Sequence, residues 1–322
     1  MAVLLGASAE CRTASCEWAG GVAAILYVPG DHACRTGRGA AMPVTARTVP
    51  ARPGSPSMPA LFVAAHGGPA LAVTAVTALL ALRAELRPFD VVAVTSAVFT
   101  GQLTIGWGND LLDLRRDRAV GRADKPLTTG ALPVGRAVTA LVVAACACLV
   151  LSVLADWRGS LLNATLATGA GHAYNLGLKA TVWSWAPYAC AFGTLPSVVT
   201  LADPARGWAP LWMTGASATL GVGAHLLNAL PDLVDDERTG VRGLPHRIGE
   251  RRSRVLAAGL LSAASLLAVL GPPGAPPAWA WAVLALVTVL ALLTLVAPAR
   301  TPFRVAVAIA LLDVFLLLAA GR

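Results

Sequence analysis

The sequence predicts an all-α polytopic membrane protein: a bundle of about nine transmembrane helices around a central cavity, built from two similar motif-bearing units. Three observations predict it. The composition is too apolar for a water-covered surface, spans of roughly 20 apolar residues recur along the chain, and two charged loops carry the same polar pattern.

The chain has 322 residues, 56 % hydrophobic and 13 % charged, with a mean hydropathy of +0.67. Soluble domains carry about 25 % charged residues. A net charge of +8 raises a nucleic-acid reading. The basic residues are mostly Arg in short loops between apolar runs, however, whereas a nucleic-acid surface is a basic stripe on a polar domain. No nucleic-acid partner is therefore expected. Cys11, Cys16 and Cys34 precede the apolar region, while Cys146, Cys148 and Cys190 lie inside apolar runs. Neither set has metal or disulfide-framework spacing.

Residues 1–56 mix Gly, Pro, Arg and Cys without a sustained apolar run, and "GGVAAILYVPG" is too short to cross a bilayer. We read 1–56 as disordered or as a non-native N-terminal extension, with Met42 and Met58 as alternative starts, and 57–322 as the transmembrane domain. Within it, nine spans have the length needed to cross about 30 Å of hydrocarbon: 61–82, 89–109, 137–155, 160–177, 181–201, 209–230, 254–271, 278–297 and 302–320. The fourth, "SLLNATLATGAGHAYNLGL", is small and semi-polar and is expected to face protein. Lys and Arg concentrate in loops 109–136, 178–180, 231–253 and 298–301, against Arg83, Arg87, Arg158 and Arg206 on the other side. The heavy side is expected to be cytoplasmic, in a multi-pass cell-membrane protein.

A shift of 119 positions lays Asn109 on Asn228, Asp113 on Asp232, Asp117 on Asp236, Gly121 on Gly240, Pro126 on Pro245 and Gly130 on Gly249. The matched residues are polar or turn-forming, which an Ala/Leu/Val background does not supply by chance. The sequence thus predicts a duplicated unit of helix, acidic cytoplasmic end, glycine-broken loop and next helix. Repeats of this kind place a site where their halves meet.

Spacing of four puts Asn109, Asp113 and Asp117 on one helical ridge, and the same reading makes Asn228, Asp232 and Asp236 a second. Each charge costs about 2.5–3.5 kcal/mol at a bilayer centre, so neither ridge can face lipid. Converging carboxylates need a cation. Mg²⁺ suits them, because it takes one or two carboxylates and leaves positions for water and phosphate oxygens. Arg122, Lys125, Lys179, Arg242 and Arg247 are then placed to meet the remaining phosphate charge. Acids for metal and bases for phosphate, at the mouth of an apolar cavity, suit an isoprenoid diphosphate.

These residues resemble the UbiA superfamily of intramembrane prenyltransferases. Asn109–Asp117 matches its first aspartate-rich motif, NDxxDxxxD; Asp232, Asp235 and Asp236 match the second, in "PDLVDDERTG" with the trailing "GLPHRIG". Tyr174 to Lys179, "YNLGLK", resembles its Y-x4-K element, and the likeness covers roughly residues 60–320. The resemblance implies a nine-helix bundle with a cavity open to lipid. It also implies Mg²⁺-dependent ionisation of a prenyl diphosphate and transfer of the allyl cation to a hydrophobic or aromatic acceptor.

Carried onto this sequence, Asn109, Asp110, Asp113, Asp117, Asp232 and Asp236 hold the metals, with Asp235 alongside. Asp113, Asp232, Tyr174 and Lys179 form the catalytic set, and Lys179, Arg122, Lys125 and Arg247 the diphosphate contacts. Trp107, Trp183 and Trp185 are candidates for the wall around the carbocation. The first helix departs from the family's pattern, since His66 stands alone where a basic or polar cluster is common. Acceptor handling is therefore expected to differ from the ubiquinone and menaquinone branches.

Two rivals keep parts of this reading: a cyclase that ionises the prenyl chain without a separate acceptor, and an ion-coupled transporter. Transporter acids tend to lie at the membrane midplane on broken helices, whereas these lie at helix ends beside basic loops. Arg116, Arg118, Arg251 and Arg252 read as topology determinants, and Trp208, Trp212, Trp279 and Trp281 as an interfacial belt. Asp313, deep in the last span, has no role in this scheme.

Overall fold

The chain starts its first helical stretch with a break. In the computed structural model, which describes residues 60–298 and 300–320 with the side chains of 317–320 left aside, α1 (Ala60–Ala64) and α2 (Gly67–Arg83) flank His66, whose backbone is left-handed at φ 54°. The predicted span 61–82 is thus two helices. The segment 1–56, with Cys11, Cys16, Cys34 and Met42, lies outside the described residues, as does Met58.

After a short turn, α3 (Pro88–Ala119) runs for 32 residues, with Pro88 in its first turn, where a missing N–H costs nothing. At 1.5 Å per residue it is roughly 48 Å long, more than a bilayer's hydrocarbon needs. Asp90 near its start is paired with Arg87 at 2.6 Å, and the next acid is Asp110. The interval between them corresponds to about 30 Å of helix rise. The acidic motif therefore occupies the turns that α3 has beyond a bilayer-length apolar stretch.

The chain continues through α4 (Pro126–Thr129), α5 (Val134–Ala155) and α6 (Trp157–Leu162), the last capped by Asp156 accepting from the Arg158 backbone N–H. A π-helical turn over Asn163–Thr168 joins α6 to α7 (Gly169–Leu176). This is the span that reads weakest in sequence, and its Asn163 side chain donates to Ser152 Oγ at 3.1 Å. A 3₁₀ turn, Leu178–Ala180, carries Lys179. Then follow α8 (Ala186–Thr200) and α9 (Leu211–Asn228), a 3₁₀ turn at Leu230–Asp232, α10 (Leu233–Arg238) and α11 (Leu244–Ile248). The last helices are α12 (Glu250–Leu270), α13 (Ala278–Leu293) and α14 (Thr301–Ala320).

Among the described residues there is no strand. α3, α5 and α12 are long and apolar enough to cross a membrane, and α2 and α13 are shorter apolar helices. α3 packs on α2 and α5, α9 on α8 and α12, and α13 on α12 and α14; α14 returns to touch α2. One core joins Leu226, Leu227, Leu261, Val287 and Ile309; another joins Leu80, Val94, Val98, Leu195 and Val198. Many large apolar side chains of α5 are exposed, Val143, Val150 and Val153 among them. A helix whose exposed face is this apolar has hydrocarbon as its natural solvent.

The duplicated unit is visible in the backbone. Gly121 and Gly240 have φ of 71° and 83°; Gly130 and Gly249 share a positive φ, 78° and 81°, but differ in ψ, 1° against 162°, and glycine adopts all of these without steric cost. The Arg122 N–H donates to the Asp117 carbonyl at 3.0 Å, and the Val241 N–H, 119 positions on, donates to that of Asp236 at 2.8 Å. Pro126 and Pro245 each lie in the first turn of a short helix. One prediction needs correction. Asn109, Asp113 and Asp117 share one continuous helix, but α9 stops at Asn228, so Asp232 lies in a 3₁₀ turn and Asp236 on α10. Pro231 has no N–H for the helical ladder and closes off the single second ridge.

Candidate active site

The acids of the first copy are buried and each has a cation. Asp113 receives both oxygens' bonds from Lys179 Nζ at 2.6 Å and pairs with Arg116 at 2.5 Å. Asp110 meets Lys125 and His66, both at 3.0 Å, and Asp117 meets Lys125 at 2.9 Å. Asn109 Oδ1 accepts from Lys179 at 3.3 Å. Burial alone would lower the Lys125 pKa, but Asp110 and Asp117 outweigh it and hold the ammonium above its ordinary value. Arg116, which the sequence offers as a mere topology determinant, is thus part of the cluster.

The second copy joins the first through Arg122. Its guanidinium donates to Asp232 at 3.1 Å and to both Asp124 oxygens at 2.9 Å, which pulls the Asp124 carboxyl down to about 2. Among the acids of the two motifs, Asp236 has the longest ion-pair contact. Burial and the neighbouring Asp232 raise it to about 6, with Asp113 adding and Arg116 and Lys179 opposing. Its nearest ion-pair partner is His246 at 3.7 Å, and neither ring nitrogen of His246 has a hydrogen-bond partner. Asp236 therefore feels charges from both copies: the acidic motifs converge.

Other predicted residues stand further out. Asp235 pairs locally with Arg238 at 3.6 Å. Arg242 pairs with Glu237 at 2.6 Å, and Arg247 Nε donates to the Arg242 carbonyl at 3.1 Å; both arginines are exposed. Neither has an acidic-motif carboxylate among its recorded partners.

The loop with Lys179 is held by close backbone approach. A Cβ on Gly243 would lie 2.6 Å from the Lys179 carbonyl oxygen, so only glycine lets the second loop seat there. Ser184 completes the joint, accepting from the Leu244 N–H at 2.9 Å and bonding His225 Nε2 at 3.1 Å. Asn175 ties α7 to α3 by donating to the Ile105 carbonyl at 2.9 Å.

Beside the acids, Tyr174, which the sequence singles out, belongs to an aromatic cluster whose other members, Tyr188, His225 and Phe192, it does not. Tyr174 meets Tyr188 edge-on at 5.3 Å and His225 at 5.7 Å, Tyr188 meets His225 at 4.7 Å, and Phe192 stacks on Tyr188 at 6.3 Å. Asn228 donates to the Tyr188 hydroxyl at 3.4 Å, and the Tyr174 phenol lies within the fields of Asp113, Asp232 and Asp236. Of the predicted tryptophan wall, Trp107 faces elsewhere: its Nε1 donates to the Leu61 carbonyl at 2.8 Å, in the core shared by α1, α3 and α5. Trp183 is largely exposed. The periodicity of α8 and the position of Pro187 hold no mark that singles out Tyr188; it is the fold that sets it against Tyr174.

The sequence model of the UbiA prenyltransferase family matches residues 57–319. The chain belongs to the UbiA prenyltransferase family. With its long apolar helices, this makes it an integral membrane protein. Solved UbiA-fold structures agree in architecture. A UbiA homologue from Aeropyrum pernix K1 superposes with TM-score 0.63 at 16 % identity, covering 79 % of this chain and 96 % of that one. A UbiA homologue from Archaeoglobus fulgidus bound to GPP and Mg²⁺ gives 0.58 at 16 % identity, covering 81 % and 99 %. A digeranylgeranylglyceryl phosphate synthase gives 0.57 at 18 % identity, covering 81 % and 97 %. At these identities the likeness is one of fold. No curated protein matches the chain.

The donor set at the UbiA-like motifs is all oxygen: Asn109, Asp113 and Asp117 on one side, Asp232 and Asp236 on the other. That is the chemistry a hard divalent cation takes. Among the described residues no three potential ligands already form a metal-ready group. Lys125, Lys179, Arg116 and Arg122 stand between the carboxylates instead.

Proposed function

We propose that this protein transfers a prenyl group from an isoprenoid diphosphate to a hydrophobic or aromatic acceptor, with Mg²⁺, at the cytoplasmic side of a cell membrane that its nine helical segments cross. The observation that carries this reading is the convergence of the two acidic motifs, with Arg122 bonded to Asp232 and Asp236 in the field of Asp113. Family membership and the relative bound to GPP and Mg²⁺ support it.

In this reading Asn109, Asp113, Asp117, Asp232 and Asp236 hold magnesium, with Asp110 and Asp235 flanking. Bound magnesium supplies electrostatic stabilisation of the departing pyrophosphate. Lys179, Lys125 and Arg122 neutralise carboxylates in the free protein and exchange them for phosphate oxygens when substrate is present. The exposed Arg242 and Arg247 attract the polyanion over longer range. Tyr174 and Tyr188 offer aromatic faces to the allyl cation, and the apolar walls keep water from it.

The test is turnover in membranes, crossing labelled prenyl diphosphates of several lengths with aromatic, quinol-precursor, sugar and glycerol acceptors, with and without EDTA. An acceptor-dependent prenylated product that EDTA abolishes is expected. A terpene formed without acceptor assigns cyclisation instead, and turnover undiminished by chelation overturns the metal assignment.

A further inference from the structure

The two copies of the duplicated unit differ in what their loops bring back to the last acid. In the first copy it is an ammonium: Lys125 Nζ lies 2.9 Å from Asp117. The position 119 residues on from Lys125 is Leu244, and the side chain that faces Asp236 in the second copy is His246. The counterpart of His246 in the first copy is Leu127, buried in an apolar core. The second copy alone therefore sets an imidazole against its last acid.

The His246 side chain is 8 % exposed, and neither ring nitrogen has a hydrogen-bond partner. A buried polar group left in that state is costly and calls for a reason. Nε2 lies 3.7 Å from Asp236 Oδ2, too far for a good hydrogen bond. The separation suits two ligands of one ion instead. With ligand bonds of about 2.1 Å, neighbouring ligands stand about 3.4 Å apart at a tetrahedral centre and about 3.0 Å apart at an octahedral one. A closure of less than about 1 Å brings the pair to either geometry. A neutral imidazole with its hydrogen on Nδ1 presents a lone pair at Nε2. The ring is also held in place: α11, which carries it, packs on α10, which carries Asp236, and Ser184 Oγ accepts from the Leu244 N–H at 2.9 Å.

We propose that His246 Nε2 and Asp236 are ligands of one divalent ion, so that the second motif forms a mixed nitrogen–oxygen site favouring a first-row transition ion over Mg²⁺. Imidazole nitrogen suits ions such as Zn²⁺, whereas Mg²⁺ takes oxygen. Asn109, Asp113 and Asp117 of the first motif offer only oxygen and remain the Mg²⁺ position. The pair is not a complete cage, and water and diphosphate oxygens fill the other positions. This inference rests on the reading that the second motif holds a divalent ion, and adds the nitrogen to it.

The test is electron spin-echo envelope modulation of Mn²⁺, added with inorganic pyrophosphate to the full chain in lipid nanodiscs. Modulation from a directly bound nitrogen is expected, and it is expected to change pattern in protein made with heavy-nitrogen histidine. That comparison needs no variant. His246→Val is expected to remove the modulation while Mn²⁺ stays on the carboxylates with affinity lowered about tenfold. Zn²⁺ is expected to displace Mn²⁺ at lower concentration than Mg²⁺ does, by a margin about tenfold larger in the wild type than in His246→Val. Bound Mn²⁺ without histidine modulation, modulation that survives in His246→Val, or equal margins in the two proteins overturns the nitrogen ligand and leaves the transfer reading standing. Mn²⁺ that fails to bind with pyrophosphate present overturns the metal assignment of that reading as well.

Discussion

Lys179 Nζ lies 2.6 Å from both carboxylate oxygens of Asp113, joining the turn after α7 to the acidic end of α3. Both side chains are about 10 % exposed, so this is a desolvated pair. Removing one member of such a pair costs about 3–5 kcal/mol when the other is left alone. Arg116 also pairs with Asp113, so Lys179→Met is expected to cost less, about 2 kcal/mol. The same variant is expected to raise KM for the prenyl diphosphate at least tenfold. Thermal unfolding and steady-state kinetics check the two effects, and unchanged KM would remove Lys179 from the diphosphate contacts.

The pH dependence follows from Asp236, held at about 6 against an ordinary carboxylate value of 3.8. The folded metal-free protein binds this proton more tightly than the unfolded chain. Its stability therefore falls as pH rises from about 4 through 6, by roughly 3 kcal/mol in total. Divalent cations need the ionised form, so Mn²⁺ affinity, read by electron paramagnetic resonance, is expected to drop steeply below pH 6. Asp236→Asn should flatten the stability profile and weaken Mn²⁺ binding at every pH; a profile unchanged by that substitution would refute the assignment.

Gly243 tests how the Lys179 turn is seated. A methyl group there meets the Lys179 carbonyl oxygen and Ser184 Oγ, at 2.6 and 2.9 Å, and backbone cannot step aside cheaply. Gly243→Ala is expected to destabilise by about 1–3 kcal/mol and to lower turnover. Gly135→Ala, where a Cβ meets nothing, is the control and should be silent in both measurements.

The aromatic cluster bears on the fate of the cation. Tyr188→Leu removes the ring between Tyr174, Phe192 and His225 and the acceptor of the Asn228 bond. Each such aromatic pair contributes about 0.5–1.5 kcal/mol. More of the donor is expected to end as free prenyl alcohol, through capture by water, than as prenylated acceptor. Chromatography of labelled products measures the partition, and an unaltered ratio would show that Tyr188 does not guard the cation.

Much of the site was legible because it rests on local spacing. Asn109, Asp113 and Asp117 share a face wherever that segment is helical, and Gly121, Gly130, Gly240 and Gly249 all take the positive φ that glycine tolerates where each loop turns. The second ridge was misread for an equally local reason, Pro231, whose interruption outweighs the four-residue spacing. Arg116 was read as a topology determinant because a basic residue near a helix end serves either purpose until its partner's position is known.

Sequence alone determined the apolar helical character, the paired acidic motifs and their duplicated turns, since composition and periodicity act through contacts a few residues apart. Tertiary structure alone decided that Lys179 reaches Asp113, that Arg122 bridges to Asp232, and that Tyr188 rather than Trp107 stands beside Tyr174. Those contacts join helices far apart in the chain, and which faces meet depends on how apolar surfaces pack, a property of the bundle that no segment carries by itself.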